Sequence, residues 1–153
     1  RKMGHKKVLC VSDNNICMDL DRYNGLNQGL GKDADFLMIP MSREKRHLFY
    51  QKNLKKIKKY TAIFAVSDYY AIDLMVFLKS CGISAPEDIS VVGFDGSIDC
   101  QRVAPVLTSV YQNNELRAKM AMELLLKRLQ DSSFSQSVCV PVKLVEGESV
   151  RQI

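Results

Sequence analysis

Residues 86–96 read PEDISVVGFDG, which describes a turn, a short apolar strand and an acid at the end of that strand. The middle of the stretch, Ile89 to Val92, is apolar and mostly β-branched, and turn-forming residues bound it on both sides; this is typical of a buried strand. A carboxylate at the mouth of such a strand is poorly hydrated and needs hydrogen-bond donors. We therefore expect either the fold or a bound ligand to supply donors to Asp95.

The rest of the chain alternates short apolar runs with segments of helical periodicity. This alternation indicates an α/β fold with a mostly parallel sheet, helices on both faces and right-handed crossovers. Besides the strand that follows Pro86, strands are predicted at 7–12, 36–39, 61–66 and 138–145, an extended stretch at 103–112, and helices at 17–30, 42–58, 69–81 and 113–130.

Polar side chains follow several of the predicted strands. Ser12 and Asp13 end the first strand, Ser67 and Asp68 follow the third, and Asp95 ends the next. In open parallel sheets, ligands bind beyond the carboxyl ends of the strands. The pattern therefore predicts a binding site along this edge of the sheet.

The composition is that of a globular domain with a cationic surface. The chain has 153 residues, of which 46% are hydrophobic, so it can bury a sizeable core as one domain. The net charge of +5 suggests an anionic partner such as nucleic acid. Much of the excess, however, falls in residues 43–59 and in the first seven residues, which are equally well explained as solvated surface.

The cysteines and the hydropathy indicate a cytoplasmic protein. The five cysteines lie far apart, without a C-x-x-C pair, which favours reduced thiols. No run approaches the roughly 20 apolar residues of a membrane span, and the 8–11 run is too short for a signal peptide. The chain begins with Arg1 instead of Met, so we expect it to be part of a longer protein.

Three enzyme or metal classes are poorly supported. A magnesium site built from Asp13, Asp68 and Asp95 would lack an adjacent acid pair after the first strand and a lysine after Phe94. Residues 12–16 contain no glycine for a phosphate-binding loop. Neither histidine has a carboxylate or nucleophile at a telling offset. We predict no catalytic residue, metal or cofactor.

Recognition of a small polar molecule remains as the better hypothesis. A carboxylate that accepts from two hydroxyls and an arginine that donates a fork suit a sugar-like ligand, and Asp95 and Arg22 are the candidates for these roles. Two simpler interpretations stay open: Asp95 could accept from backbone amides at Gly96 and Ser97, and Arg22 could be an exposed helical arginine.

The predicted helix at 69–81 is apolar nearly all round. Asp73, Lys79 and Ser80 are its few polar interruptions, which indicates a helix covered on two sides. The sheet would cover one side, and a second copy of the chain is the simplest cover for the other. The predicted dimer face comprises this helix from Tyr70 to Lys79 and the loop from Ile98 to Arg102, with the contact residues Tyr70, Leu74, Phe77, Leu78, Ile98 and Arg102.

Three ordered motifs carry a family resemblance. Residues 61–68 read TAIFAVSD, residues 86–95 read PEDISVVGFD and residues 105–112 read PVLTSVYQ. With these motifs the chain resembles the effector-binding core of LacI/GalR-family bacterial transcriptional regulators. The resemblance extends more weakly from Gly4 to Ser149.

The resemblance implies a role for each candidate site residue. Arg22, three residues before Gly25, would reach the effector, and Asp95 would bind its hydroxyls. Ser67 stands where the family commonly has Asn, and Gln112 matches a cleft-lining glutamine. Asp68 would cap the next helix; together with Asp13 and Tyr69 it would line the cleft.

The resemblance also implies how the chain is organised. Residues 4–104 and 137–149 would form the C-terminal effector-binding subdomain, of the periplasmic-binding-protein-like fold. Residues 105–130 would cross over into the N-terminal effector subdomain, whose first half is absent, as is the DNA-binding headpiece. The chain would then be the effector sensor of a dimeric regulator. It would bind a sugar-like or nucleobase-like molecule and contact operator DNA only through the absent domain. A transport-associated sugar-binding protein of the same fold is the alternative.

Overall fold

The computed structural model of the chain describes residues 2–14 and 17–153. Its strands and helices follow in the order β1 (Val8–Ser12), α1 (Cys17–Leu30), β2 (Asp35–Met38), α2 (Arg43–Ile57), β3 (Ala62–Ala65), α3 (Asp68–Ser80), β4 (Ser90–Asp95), a 3₁₀ helix (Ile98–Arg102), β5 (Thr108–Gln112), α4 (Asn114–Gln130) and β6 (Val142–Val145).

The strands form one sheet in the order β2-β1-β3-β4-β5-β6. All neighbouring pairs are parallel except β5 with β6, which run antiparallel with Gln112 opposite Val142. The predicted α/β class with a mostly parallel sheet is therefore confirmed. The last strand is shorter than predicted, because residues 138–141 lie outside the pairing.

The main core lies between the sheet and the pair α2 and α3. Every residue of β1 is buried, and Leu9, Ile63 and Val91 from three adjacent strands are at most 1% exposed. A strand in a parallel sheet that is covered on both faces reads as a continuous apolar run, which is the pattern that β1 shows. The ring of Tyr50 in α2 packs 5.3 Å from that of Phe77 in α3, so the two helices share one core.

This packing corrects part of the predicted dimer face. Leu74, Phe77 and Leu78 are 0%, 4% and 1% exposed inside the core of a single chain, so they cannot contact a second copy. The apolar circumference of α3 is covered by the sheet and by α2, and no partner is needed to explain it. The helix keeps an exposed strip instead, on which Tyr69 and Val76 lie.

The segment predicted to cross over, residues 105–130, has two parts that behave differently. Its strand, β5, pairs with β4 on one side and β6 on the other, so this part belongs to the sheet and its assignment outside it was wrong. Its helix, α4, has no buried residue among its 17. Large apolar side chains of α4 are half exposed or more, among them Met122, Leu125, Leu126 and Leu129.

Candidate functional site

Side chains from α1, β4 and β5 meet at the carboxyl edge of the sheet. Because β4 and β5 are parallel and adjacent, Asp95 at the end of one lies beside Gln112 at the end of the other. The guanidinium of Arg22 reaches the same place from α1. The structure thus brings together three of the four predicted ligand-binding residues.

Asp95 is held by side chains and not by its own turn. Its Oδ1 accepts a hydrogen bond of 2.8 Å from Gln112 Nε2 and lies 3.4 Å from Arg22 Nη2. The amide of Gly96 donates to Ser109 Oγ, and that of Ser97 donates to Asp68. The simpler interpretation, in which Asp95 accepts from the backbone of Gly96 and Ser97, is therefore wrong.

The backbone of Asp95 is unusual for a residue with a side chain. Its φ is +114°, in the region that favours glycine, and such a conformation costs about 1–3 kcal/mol. Gly96 follows with a φ of +69°, and a Cβ there would lie 2.6 Å from the backbone of Tyr111. The turn therefore aims the Asp95 carboxylate along the sheet edge at an energetic cost, as functional sites often do.

Arg22 is fixed on three sides. Its Nη1 donates to the carbonyl oxygen of Val66 at 2.5 Å, its Nη2 faces Asp95, and its guanidinium lies 4.1 Å from the ring centroid of Phe94. A cation over an aromatic face at this distance is attracted to the ring. With 18% of its side chain exposed, Arg22 is a positioned donor, and the interpretation as an ordinary exposed arginine is wrong.

Burial controls the protonation of Asp95. Desolvation raises the pKa of this carboxyl above its ordinary value, while the charge of Arg22 and the hydrogen bond from Gln112 act in the opposite direction. The carboxyl group remains 37% exposed. It can therefore still accept hydrogen bonds from a ligand on its open side.

Two openings flank the Arg22–Asp95 pair. One, of about 480 Å³, is lined by Tyr69, Asp95 and Ser97 together with residues of α2 and the 3₁₀ helix. The other, of about 440 Å³, is lined by Arg22, Phe64 and Phe94. An apolar wall next to convergent polar groups is the usual form of a small-molecule site.

Asp68 serves the fold more than the site. It is 2% exposed, and its two oxygens accept from the amide of Ser97 at 2.6 Å and from the hydroxyl of Ser109 at 2.5 Å. The helix cap that the sequence assigned to Asp68 is made by Ser67, whose Oγ accepts from the amide of Tyr70. Ser67 can still donate from its hydroxyl, so its contact with a ligand stays a prediction.

Asp13 and Tyr70 meet at the same edge of the sheet. The side chains of these two residues are hydrogen-bonded to each other, and Asn14 Nδ2 donates to Asp13 Oδ1 at 2.9 Å. Burial, followed by this hydrogen bond, raises the pKa of Tyr70. The hydroxyl of Tyr70 is thus directed to the sheet edge, while its role as a dimer contact stays a prediction. Ile98 and Arg102 are exposed and remain candidates.

A buried ion pair behind the site was not predicted from the sequence. Arg46 of α2 is 0% exposed, and its Nε donates to Asp73 Oδ2 of α3 at 2.7 Å. Its Nη1 donates to the carbonyl of Met41 and its Nη2 to the hydroxyl of Tyr69. The sequence signal for this pair is Asp73, a lone aspartate in the middle of an otherwise apolar helix, because a buried carboxylate requires a partner.

Arg117, in the first turns of α4, was not predicted from the sequence either. Its Nη1 donates to Gln112 Oε1 at 2.8 Å, so a second arginine stands one side chain away from Asp95. In the residues that the structure describes, no group of three or more acidic, histidine or cysteine side chains could hold a metal ion. No described helix is long and apolar enough to cross a membrane.

Comparison with known families agrees with this geometry. Residues 2–150 match the family described as "periplasmic binding protein-like domain". The chain belongs to this family. The predicted fold class is therefore confirmed for this periplasmic binding protein-like domain.

Relatives of the domain are transcriptional regulators. It is 34% identical over 160 residues to the HTH-type transcriptional repressor PurR of Vibrio cholerae, a match that covers 98% of this chain and 47% of the relative. It is 33% identical over 134 residues to the HTH-type transcriptional regulator MalR of Clostridium butyricum, covering 84% of this chain and 40% of the relative. The chain thus spans about half the length of the curated relatives it matches.

A solved structure extends the comparison. The LacI family transcriptional regulator from Enterococcus faecalis with bound ribose superposes with a TM-score of 0.87 at 25% identity, over 99% of this chain and 57% of that one. The predicted resemblance to the effector-binding part of LacI/GalR regulators is confirmed.

Proposed function

We propose that this domain is the effector-sensing part of a LacI/GalR-type transcriptional regulator, and that it binds a small sugar-like molecule at Arg22, Asp95 and Gln112. The observation that carries this proposal is the Asp95 carboxylate. The backbone of Asp95 has a φ of +114°, one oxygen of its side chain is hydrogen-bonded, and the side chain is 37% exposed. Hydroxyl groups donate to carboxylates and accept from guanidinium groups, so a polyhydroxylated ligand satisfies both partners.

The site is suited to binding and not to a reaction. Among the described residues, Arg22 and Gln112 supply donors and Asp95 an acceptor, and no serine, cysteine or histidine is hydrogen-bonded to any of the three. The relatives are transcriptional regulators, and a bound sugar is present in one similar structure. We infer a non-enzymatic, cytoplasmic sensor, in which the ligand changes operator binding because it has unequal affinity for two arrangements of the regulator.

We further propose that α4 belongs to the other half of the effector cleft. Both ends of the segment 113–141 are attached to the carboxyl edge of the sheet, because Gln112 pairs with Val142 there. The helix between them buries none of its residues, and its apolar side chains lie uncovered. A second subdomain packed on α4 would bury these side chains and close the cleft over a ligand at Asp95. Operator DNA would be contacted by a separate domain.

The proposed homodimer uses the exposed strip of α3. Val76 is 50% exposed and Ile98 is 64% exposed, and both lie on the outside of the α3 and 3₁₀-helix region together with Arg102. We expect Val76→Glu to convert a dimer to a monomer in sedimentation. Leu48→Glu changes a similarly exposed residue of α2 and should leave the mass unchanged. A dimer that persists in Val76→Glu would exclude this face.

A ligand panel tests the proposed function. Ribose, lactose, cellobiose and adenine, a panel that includes both sugars and a nucleobase, would be titrated into the chain. NMR would follow the titration because it detects weak binding. Asp95→Asn should weaken binding of the best ligand about ten-fold or more, because a charge-assisted hydrogen bond contributes roughly 1.5–3 kcal/mol. Asp33→Asn, an exposed change in the loop between α1 and β2, is the matched control.

The outcomes separate the alternatives. Binding that Asp95→Asn leaves unchanged would refute the assigned site. In a regulator that carries this chain, Asp95→Ala should abolish the response of operator binding to the ligand and leave operator affinity intact. A ligand that binds at Asp95 without any effect on DNA binding would favour the transport-associated alternative.

A further inference from the structure

Arg117 determines how the side chain of Gln112 can be oriented. Its Nη1 lies 2.8 Å from Gln112 Oε1 and 3.2 Å from Asn114 Oδ1. A guanidinium has only donors, so the atom of the Gln112 amide that faces it must be the oxygen. The two ends of an amide are otherwise nearly indistinguishable, and here the obligate donor assigns them.

The orientation of Gln112 in turn determines what Asp95 receives. With its oxygen toward Arg117, the amide turns its NH₂ group toward Asp95 Oδ1, to which it donates at 2.8 Å. The reversed amide would place oxygen against oxygen at this distance and would be repelled. Arg22 Nη2 lies near the same Oδ1, at 3.4 Å. Among the described residues, the hydrogen bonds of this carboxylate all reach Oδ1.

We propose that Arg117 is a positioning residue of the site: by holding Gln112 in one orientation, it keeps Oδ1 of Asp95 occupied and leaves Oδ2 as the acceptor offered to the ligand. This inference rests on the proposed function, because the free oxygen has a role only if a ligand binds at the site. It also specifies the ligand, because a carboxylate oxygen accepts only from donors. The group placed there must carry an O–H or N–H donor and cannot be an anion.

The electrostatics of the site are consistent with this role. Burial raises the pKa of Asp95, and Arg22, the Gln112 hydrogen bond and Arg117 all lower it, while the carboxylate of Asp68 raises it. Arg117 thus acts on Asp95 in two ways, through its charge and through the amide that it orients. Both effects favour the ionised carboxylate, which is the form that accepts hydrogen bonds from hydroxyls.

The test compares variants of the unliganded chain. Arg117→Met removes the donors with little change of length, Arg117→Lys retains a cation that can only donate, and Lys119→Met removes one positive charge from an exposed residue of the same helix. NMR would follow the titration of the Asp95 side-chain carboxyl carbon and the side-chain amide signals of Gln112.

The expected results distinguish positioning from a general charge effect. In Arg117→Met the pKa of Asp95 should rise, and the two amide protons of Gln112 should broaden as the amide samples both orientations. In Arg117→Lys the Gln112 amide signals should stay as sharp as in the wild type. In Lys119→Met both the Gln112 amide signals and the titration of Asp95 should be as in the wild type. Gln112 amide signals that stay sharp in Arg117→Met would overturn the proposal, even if the pKa of Asp95 rises, because the charge of Arg117 alone lowers that pKa. Because no ligand is added, this outcome is independent of the test of the proposed function.

Discussion

Two of the arginine–aspartate pairs among the described residues differ in what they leave free: Arg46–Asp73 joins α2 to α3, and Arg22–Asp95 joins α1 to the end of β4. Arg46 and Asp73 are 0% and 5% exposed at the side chain, lie 2.7 Å apart and are surrounded by further protein partners. Arg22 and Asp95 are 18% and 37% exposed and lie 3.4 Å apart, and Asp95 adopts a strained backbone conformation. The first pair holds α2 against α3, whereas the second retains hydrogen-bonding capacity that a ligand could use.

The same comparison explains the position of the site. Asp73 accepts hydrogen bonds from Arg46 and His47 and forms an ion pair with Arg43 at 3.3 Å, which together satisfy a buried carboxylate. Among the described residues, the partners of Asp95 all lie at its Oδ1. A ligand that binds at Asp95 therefore adds partners to a group that still lacks them, whereas at Asp73 it would have to displace partners already present.

Breaking the buried pair should have the largest effect. Asp73→Ala leaves the Arg46 guanidinium buried without its carboxylate, and removing one partner of such a pair costs about 3–5 kcal/mol of the free energy of unfolding. Urea unfolding measures this loss. Arg43→Ala removes the exposed cation from the same carboxylate and should cost less than about 1 kcal/mol. Equal effects of the two changes would show that burial does not distinguish them.

The sequence predicted the exposed pair better than the buried one. Asp95 ends an apolar strand, and Arg22 stands three residues before Gly25, where the family resemblance implies an effector-binding arginine, so both were candidates before the structure was known. Arg46 and Asp73 are 27 residues apart on two helices, and their contact depends on how α2 rotates against α3. Local periodicity shows that α3 is covered on two sides but does not identify α2 as the cover.

The same limit applies within the site. Gln112 could be predicted from a motif, whereas its orientation depends on Arg117, which lies five residues later across the start of α4. Whether an arginine near a helix start turns back to the preceding strand is decided by side-chain rotamers, which spacing does not specify. The alternating strands and helices, in contrast, follow directly from the apolar runs and turn residues, and the structure confirms that pattern.

Arg22→Met should have an intermediate effect on stability. It removes the hydrogen bond to the Val66 carbonyl and the contact with the Phe94 ring, which together contribute on the order of 1–2 kcal/mol. Because Arg22 lowers the pKa of Asp95, that pKa should rise in the variant. Urea unfolding and NMR titration measure the two effects. The control is Lys32→Met, an exposed change in the loop between α1 and β2, which should change stability by less than about 0.5 kcal/mol. A loss as small in Arg22→Met would show that Arg22 is not fixed by the fold.

Asp95→Asn should have the smallest effect on stability, and one of opposite sign. Burial raises the pKa of Asp95 in the folded chain, so the carboxyl favours the folded state when it is protonated and loses that contribution as the pH rises through its folded pKa. Asparagine stays neutral and tolerates a positive φ, so the variant should match or exceed the wild type at pH 7. The difference in stability between the variant and the wild type should vanish well below pH 3.8, the ordinary pKa of an aspartate, where both side chains are uncharged. Urea unfolding at several pH values measures it, and a clear loss of stability at pH 7 would mean that Asp95, like Asp73, serves the fold and not a ligand.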